Sequence, residues 1–155
     1  MQKLVKKIQS QFITLNSSEQ LKVYLEDVVS NLTIEIIDYI HSTATQNIVK
    51  NKSIDMGNLM NDVSFSYMNN VKSITWNVPY SEYVEYGTPP HWLPPEVIEN
   101  DIARWAHRKL KVPSEKSVEV ARKIAYKIAH EGIEPKPFVR PAIDSAVLFF
   151  GKKQL

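Results

Sequence analysis

The apolar positions Leu21, Leu25, Val28, Leu32, Ile36 and Ile40 fall three or four apart, the spacing that lines one stripe of an α-helix. Ser17 precedes this run and Gln20 follows three residues later, a capping-box pair, so a long helix is expected to open at Ser17. Asn47, Asn51 and Lys52 end it by composition rather than by a glycine cap. Asp55 to Asp62, with Gly57 inside it, predicts one short helical turn. The period then changes to two. Val63, Phe65 and Tyr67 alternate with Ser64 and Ser66, and Ile74, Trp76 and Val78 alternate with Ser73, Thr75 and Asn77. With the turn signal Met68-Asn69-Asn70 between them, the two runs predict a β-hairpin, closed by Pro79 because proline cannot donate to a ladder.

Tyr80 to Tyr86 reads as a short aromatic segment stopped by Gly87. From Gly87 to Pro95 four prolines remove four backbone donors, so this stretch is expected to be a stiff irregular loop. Beyond it, Ile98, Ile102, Trp105 and Leu110 mark one helix, and Val118, Ala121, Ala125 and Ile128 mark another, capped by Ser114 with Gly132 past its end. They are expected to form an antiparallel pair joined at Lys111-Val112-Pro113. Pro135 to Pro141 is expected to be extended, and Ala142 to Phe150 to close the chain as a short apolar helix.

Composition adds bounds rather than chemistry. A chain of 155 residues with 43% hydrophobic content supports one domain with its own core. Lys+Arg 19 against Asp+Glu 17 leaves a formal charge of +2, which demands neither nucleic acid nor an anionic membrane. The absence of cysteine excludes disulfides, a thiol nucleophile and thiolate metal ligands. Met1 to Leu15 mixes Lys3, Lys6 and Lys7 with Leu4, Val5, Ile8, Phe12 and Ile13, which lacks the continuous apolar stretch of a signal peptide. No window approaches a membrane span, so a soluble, uncleaved chain with no membrane partner is expected.

Candidate chemistry is sparse. His41, His91, His107 and His130 form no i, i+4 pair and no HExxH pattern, no serine sits in a GxSxG turn, and the four glycines are far apart. Carboxylate pairs such as Glu82 with Glu85, or Glu99 with Asp101, fit solvated faces better than acid–base catalysis. No catalytic, cofactor or metal site is therefore expected. A basic set runs through Arg104, Arg108, Lys109 and Lys111 into Lys116, Arg122, Lys123 and Lys127, with Trp105 and Tyr126 nearby. It reads as the polar faces of two amphipathic helices. The alternative is non-specific contact with DNA, in which Arg104, Arg108, Lys109, Arg122 and Lys123 would carry the charge.

Two segments stand out. Tyr80-Ser81-Glu82-Tyr83-Val84-Glu85-Tyr86-Gly87-Thr88 gathers three tyrosines and a valine before the proline loop, and Pro135-Lys136-Pro137-Phe138-Val139-Arg140-Pro141-Ala142 is a stiff strip leading into the last helix. Large aromatics and arginine held on rigid backbone make interface anchors, so Tyr80, Tyr83, Glu85, Tyr86, Gly87, Thr88, Pro137, Phe138, Arg140 and Pro141 are the candidate interface. Core packing is the competing account of Tyr80, Tyr83, Tyr86 and Phe138.

At these residues the chain resembles the tail-completion, or minor tail, family of long-tailed phages and proviruses, the gene-product-ten-like morphogenesis proteins. The first segment matches the family's tyrosine-rich pattern with serine at Ser81 in place of alanine, the second matches throughout, and Met56-Gly57-Asn58-Leu59 stands where a glycine-containing third segment is expected. Residues 88–134 depart from the pattern as a helical insertion within the single domain 1–155. The resemblance implies an α+β subunit, a small antiparallel sheet with the long helix packed across it. It also implies a ring, six copies by family expectation, between the head connector and the tail terminator or tail tube of a virion, made in the host cytoplasm and without a substrate. Tail terminator and small DNA-binding protein are the alternatives.

Overall fold

In the computed structural model, residues 18–53, 55–68 and 71–152 are described. Met1 to Leu15 and the caps expected from Ser17 and the Asn69-Asn70 turn lie outside them. The architecture is α+β: mainly helical, with one two-stranded antiparallel sheet and a long N-terminal helix.

Helix α1 (Ser18–Lys50) follows the apolar spacing, but its two halves differ. Its buried residues, Ile37, Ala44 and Ile48, all lie in the second half, while Val23, Leu25 and Val29 in the first half are exposed. After a short turn, helix α2 (Asn58–Asn61) buries Leu59 against that second half. Strands β1 (Val63–Ser66) and β2 (Ser73–Trp76) pair antiparallel with Val63 opposite Trp76 and Phe65 opposite Ile74. This register puts the apolar side chains on one face and Ser64, Ser66, Ser73 and Thr75 on the other, as period two requires.

The short aromatic segment read from Tyr80 to Tyr86 forms helix α3 (Ser81–Tyr86), with Gly87 at its C-terminal end. Its two tyrosines, Tyr83 and Tyr86, point outward because Val84 and Glu85 supply the inward side of a turn and a half of helix. A π-helical segment (Val97–Ile102) runs straight into α4 (Ala103–Lys109), and α5 (Ser114–Glu131) follows after a short connection. The residues buried along this pair are Ala103, Ala106, Ser117, Ala121 and Ala125, small side chains that let helix axes approach closely. Ser114 is the first helical residue of α5 rather than its cap. Pro113 precedes it without a side-chain cap, and the Ser117 hydroxyl donates to the Ser114 carbonyl at 2.7 Å.

Helix α6 (Val139–Gly151) begins three residues earlier than the expected Ala142 start, which shortens the extended strip. Pro141 tolerates this because a first-turn residue needs no intrahelical N–H. The chief packing partner of α1 is α6, with a smaller contact to β2. The Tyr39 and Ser145 hydroxyls lie 3.0 Å apart across this pair, and the Tyr39 ring stacks on Phe149 at 4.8 Å. The core gathers Ala44, Ile48, Leu59, Val78, Phe138 and Ala142, so four segments distant in sequence share one apolar centre. No described helix is long and apolar enough to cross a membrane.

Candidate functional site

The N-terminus of α6 presents backbone N–H groups with no intrahelical partner, and Phe138, which stands at its cap, has no side-chain acceptor to offer them. Glu85 of α3 supplies one instead. Its Oε2 accepts from the N–H of Phe138 at 2.7 Å and of Val139 at 2.9 Å, and its Oε1 accepts from the N–H of Arg140 at 3.0 Å. Arg140 closes the loop: its Nε donates to Glu85 Oε1 at 3.0 Å and its Nη2 to the Glu85 carbonyl at 2.9 Å. A carboxylate at a helix N-terminus meets both the orphan donors and the positive end of the helix dipole. Only 4% of Glu85 remains exposed. Burial pushes its carboxyl up, but the N–H groups of Val139, Phe138 and Arg140 and the Arg140 guanidinium outweigh it, holding the acid below its ordinary value of 4.5.

The strip around Glu85 is pinned on both sides. Lys136 N–H donates to the Val84 carbonyl at 2.8 Å, and Thr88 and Ile133 exchange both backbone hydrogen bonds at 3.0 Å. This crossing requires two glycines in the left-handed region: a Cβ on Gly87 would sit 2.3 Å from the Ile133 carbonyl oxygen, and one on Gly132 would sit 2.1 Å from that of Thr88. From the other side, the end of α1 contributes Asn47 and Asn51, whose amides donate to the carbonyls of Phe138 at 3.0 Å and Pro137 at 2.9 Å. Asn47 and Asn51 read in the sequence as a soft helix end. Their polar side chains at the last turn were the available signal.

The candidate interface therefore divides. Phe138, 1% exposed, packs edge-on against Trp76 at 5.4 Å in the core, and Glu85 is interior, so neither faces a partner. Gly87, Thr88 and Pro137 are half-buried in the crossing. Tyr83 and Tyr86 are 57% and 63% exposed, Tyr80, Arg140 and Pro141 are also exposed, and the Arg140 guanidinium lies 4.8 Å over the Tyr86 ring. Burial, with Asp55 and Asp62 nearby, raises the Tyr80 phenol above its ordinary value and keeps it protonated.

The basic set is brought onto the helical pair, and several of its charges are met by carboxylates. Arg104 pairs with Asp101 at 2.9 Å, Arg122 with Glu99 at 2.9 Å, Lys123 with Glu119 at 2.7 Å, and Arg108 with Asp55 at the α1–α2 turn. Lys109 lies exposed beside them and adds to the field that lowers the Asp55 carboxyl, behind the Arg108 hydrogen bond and against burial. The four histidines are dispersed: His91, His107 and His130 each hold a backbone carbonyl through Nδ1, and His41 meets the Phe65 ring edge. Among the described residues no group of three His, Asp or Glu could hold a metal ion. Trp92, on the proline loop, was not singled out by its sequence context and is 75% exposed. A tryptophan between two proline pairs was its signal.

No family model, curated protein or solved structure matches this chain.

Proposed function

We propose that the chain is a non-enzymatic structural subunit of a phage neck. It would act in tail completion, assembling as a ring that joins the head connector to the tail terminator or tube. One observation carries this reading. Glu85 welds the Tyr80–Thr88 and Pro135–Ala142 segments, the two that bear the family resemblance, into a single rigid unit with Tyr83, Tyr86 and Arg140 on its outer side. Rigid backbone beneath exposed aromatics and arginine lowers the entropic cost of docking, which suits a ring joint. The local ion pairing of Arg104, Arg108, Arg122 and Lys123 weighs against a DNA-binding protein, because charges already neutralised by carboxylates release few counterions from phosphate.

Deleting the gene tests the proposal. Full heads and free tails that fail to join are expected. Joined, infectious particles would overturn it, and overlong tails would assign the chain to tail termination instead.

A further inference from the structure

In its first half, helix α1 is apolar on more than one side. Leu21, Val28 and Leu32 are half-buried, whereas Leu25 and Val29, one turn apart on the adjoining flank, are 45% and 62% exposed. A helix covered on one side carries one apolar stripe, so a second aliphatic flank points to a second covering element. The same half is acidic: residues 18–38 hold Glu19, Glu26, Asp27, Glu35 and Asp38 against Lys22. Residues 97–131 have the opposite balance, eight Lys and Arg against five carboxylates. Around the connection from α4 to α5 the surface opens into a cleft of about 810 Å³, lined by the apolar Ala103, Val112 and Val118 and by the basic Arg104, Arg108 and Lys111. Arg104 and Arg108 have carboxylate partners. Among the described residues neither Lys111 nor Lys116, exposed on the first turn of α5, is ion-paired.

We infer that the first half of α1 of one copy docks in this cleft of the next copy, with Leu25 and Val29 against Val112 and Val118 and with Glu26 beside Lys111 and Lys116. Charge decides the occupant. Two copies of α1 laid against each other would bring like charges together, as would two helical pairs, whereas α1 against the pair joins surplus carboxylates to surplus cations. Lys22 shares the flank of Leu25 and Val29, and the cleft lining offers it Glu99. The helix and the cleft share no residue, so the contact is heterologous and runs head to tail, the arrangement that closes rings. The inference rests on the ring reading and supplies one of its joints.

Charge reversal at exposed positions tests the contact without touching the core. One variant carries Glu26→Lys with Asp27→Lys on the helix, and the other carries Lys111→Glu with Lys116→Glu at the cleft. Light scattering on the purified full chain, with thermal unfolding as a folding control, reads the result. The wild type is expected to form oligomers larger than dimers that dissociate as salt is raised. Each variant alone is expected to stay monomeric, its association weakened about 30-fold or more, because like charges then face each other. Mixed in equal amounts, the two should regain oligomers larger than dimers: the reversed helix meets the reversed cleft, and the unchanged helix meets the unchanged cleft. Wild-type assembly by either variant alone would overturn this contact while leaving the ring reading standing. A monomeric wild type, a monomeric mixture or wild-type oligomers indifferent to salt would also overturn it. The ring reading itself is scored separately, by whether heads and tails join in the gene deletion.

Discussion

Around Glu85, five hydrogen bonds join residues 53 to 55 positions apart, whereas the ion pairs on the outer faces of α4 and α5 mostly link neighbours three or four positions apart. The first region is interior, and its charged acceptor is enclosed by donors. The second region holds itself by an alanine-lined seam, with its charges in solvent. Among the links that tie the pair to the rest are the Thr88–Ile133 bridge, the His91 N–H to Ile128 carbonyl hydrogen bond and the Arg108–Asp55 pair. Electrostatics in the two regions therefore do different work. At Glu85 a charge replaces water for several orphan donors at once, so removing it leaves them unsatisfied. On the helical pair each charge keeps its hydration and its loss is tolerated.

This contrast can be broken by substitution. Glu85→Ala has the largest expected effect, about 3 kcal/mol, because the first turn of α6 and the Arg140 guanidinium lose their acceptor while Phe138 stays anchored. For a chain of this size that corresponds to a fall of roughly 10 °C in Tm by calorimetry. A fall of only a degree or two would mean that the carboxylate is incidental. At the other extreme, replacing Arg122 and Lys123 together by alanine is expected to leave the Tm unchanged within error and virion assembly intact, since their partners Glu99 and Glu119 are also exposed. Loss of assembly with unchanged Tm would return the DNA reading to the pair.

What the sequence disclosed follows the range of the forces involved. The 3.6 period of α1, the alternation from Val63 to Trp76 and the Gly132 stop after α5 are local signals, and each element stands where its pattern put it. Helix α3 was hidden because a six-residue helix offers too few turns for periodicity, and its tyrosines resembled a packed aromatic segment. The early start of α6 was hidden because three prolines within seven residues read as an extended strip, although Pro141 itself fits a first turn. In the candidate site, Tyr83, Tyr86 and Arg140 could be picked by residue type. Glu85 could be picked as well, but for the wrong side of the surface: nothing within its own segment reveals that its acceptor is needed by a helix 53 residues away. Asn47 and Asn51 escaped notice for the same reason.

The joint is tested most directly by following the Glu85 carboxyl carbon and the amides of Phe138, Val139 and Arg140 by NMR as the pH is lowered. The folded acid is held below 4.5, so its stabilisation is complete above that pH and is lost as pH falls through the depressed folded value. A carboxyl midpoint below 4.5 is expected, with the three amides shifting at the same midpoint. A midpoint at or above 4.5, or amides indifferent to it, would contradict a carboxylate that caps α6 and binds the two segments together.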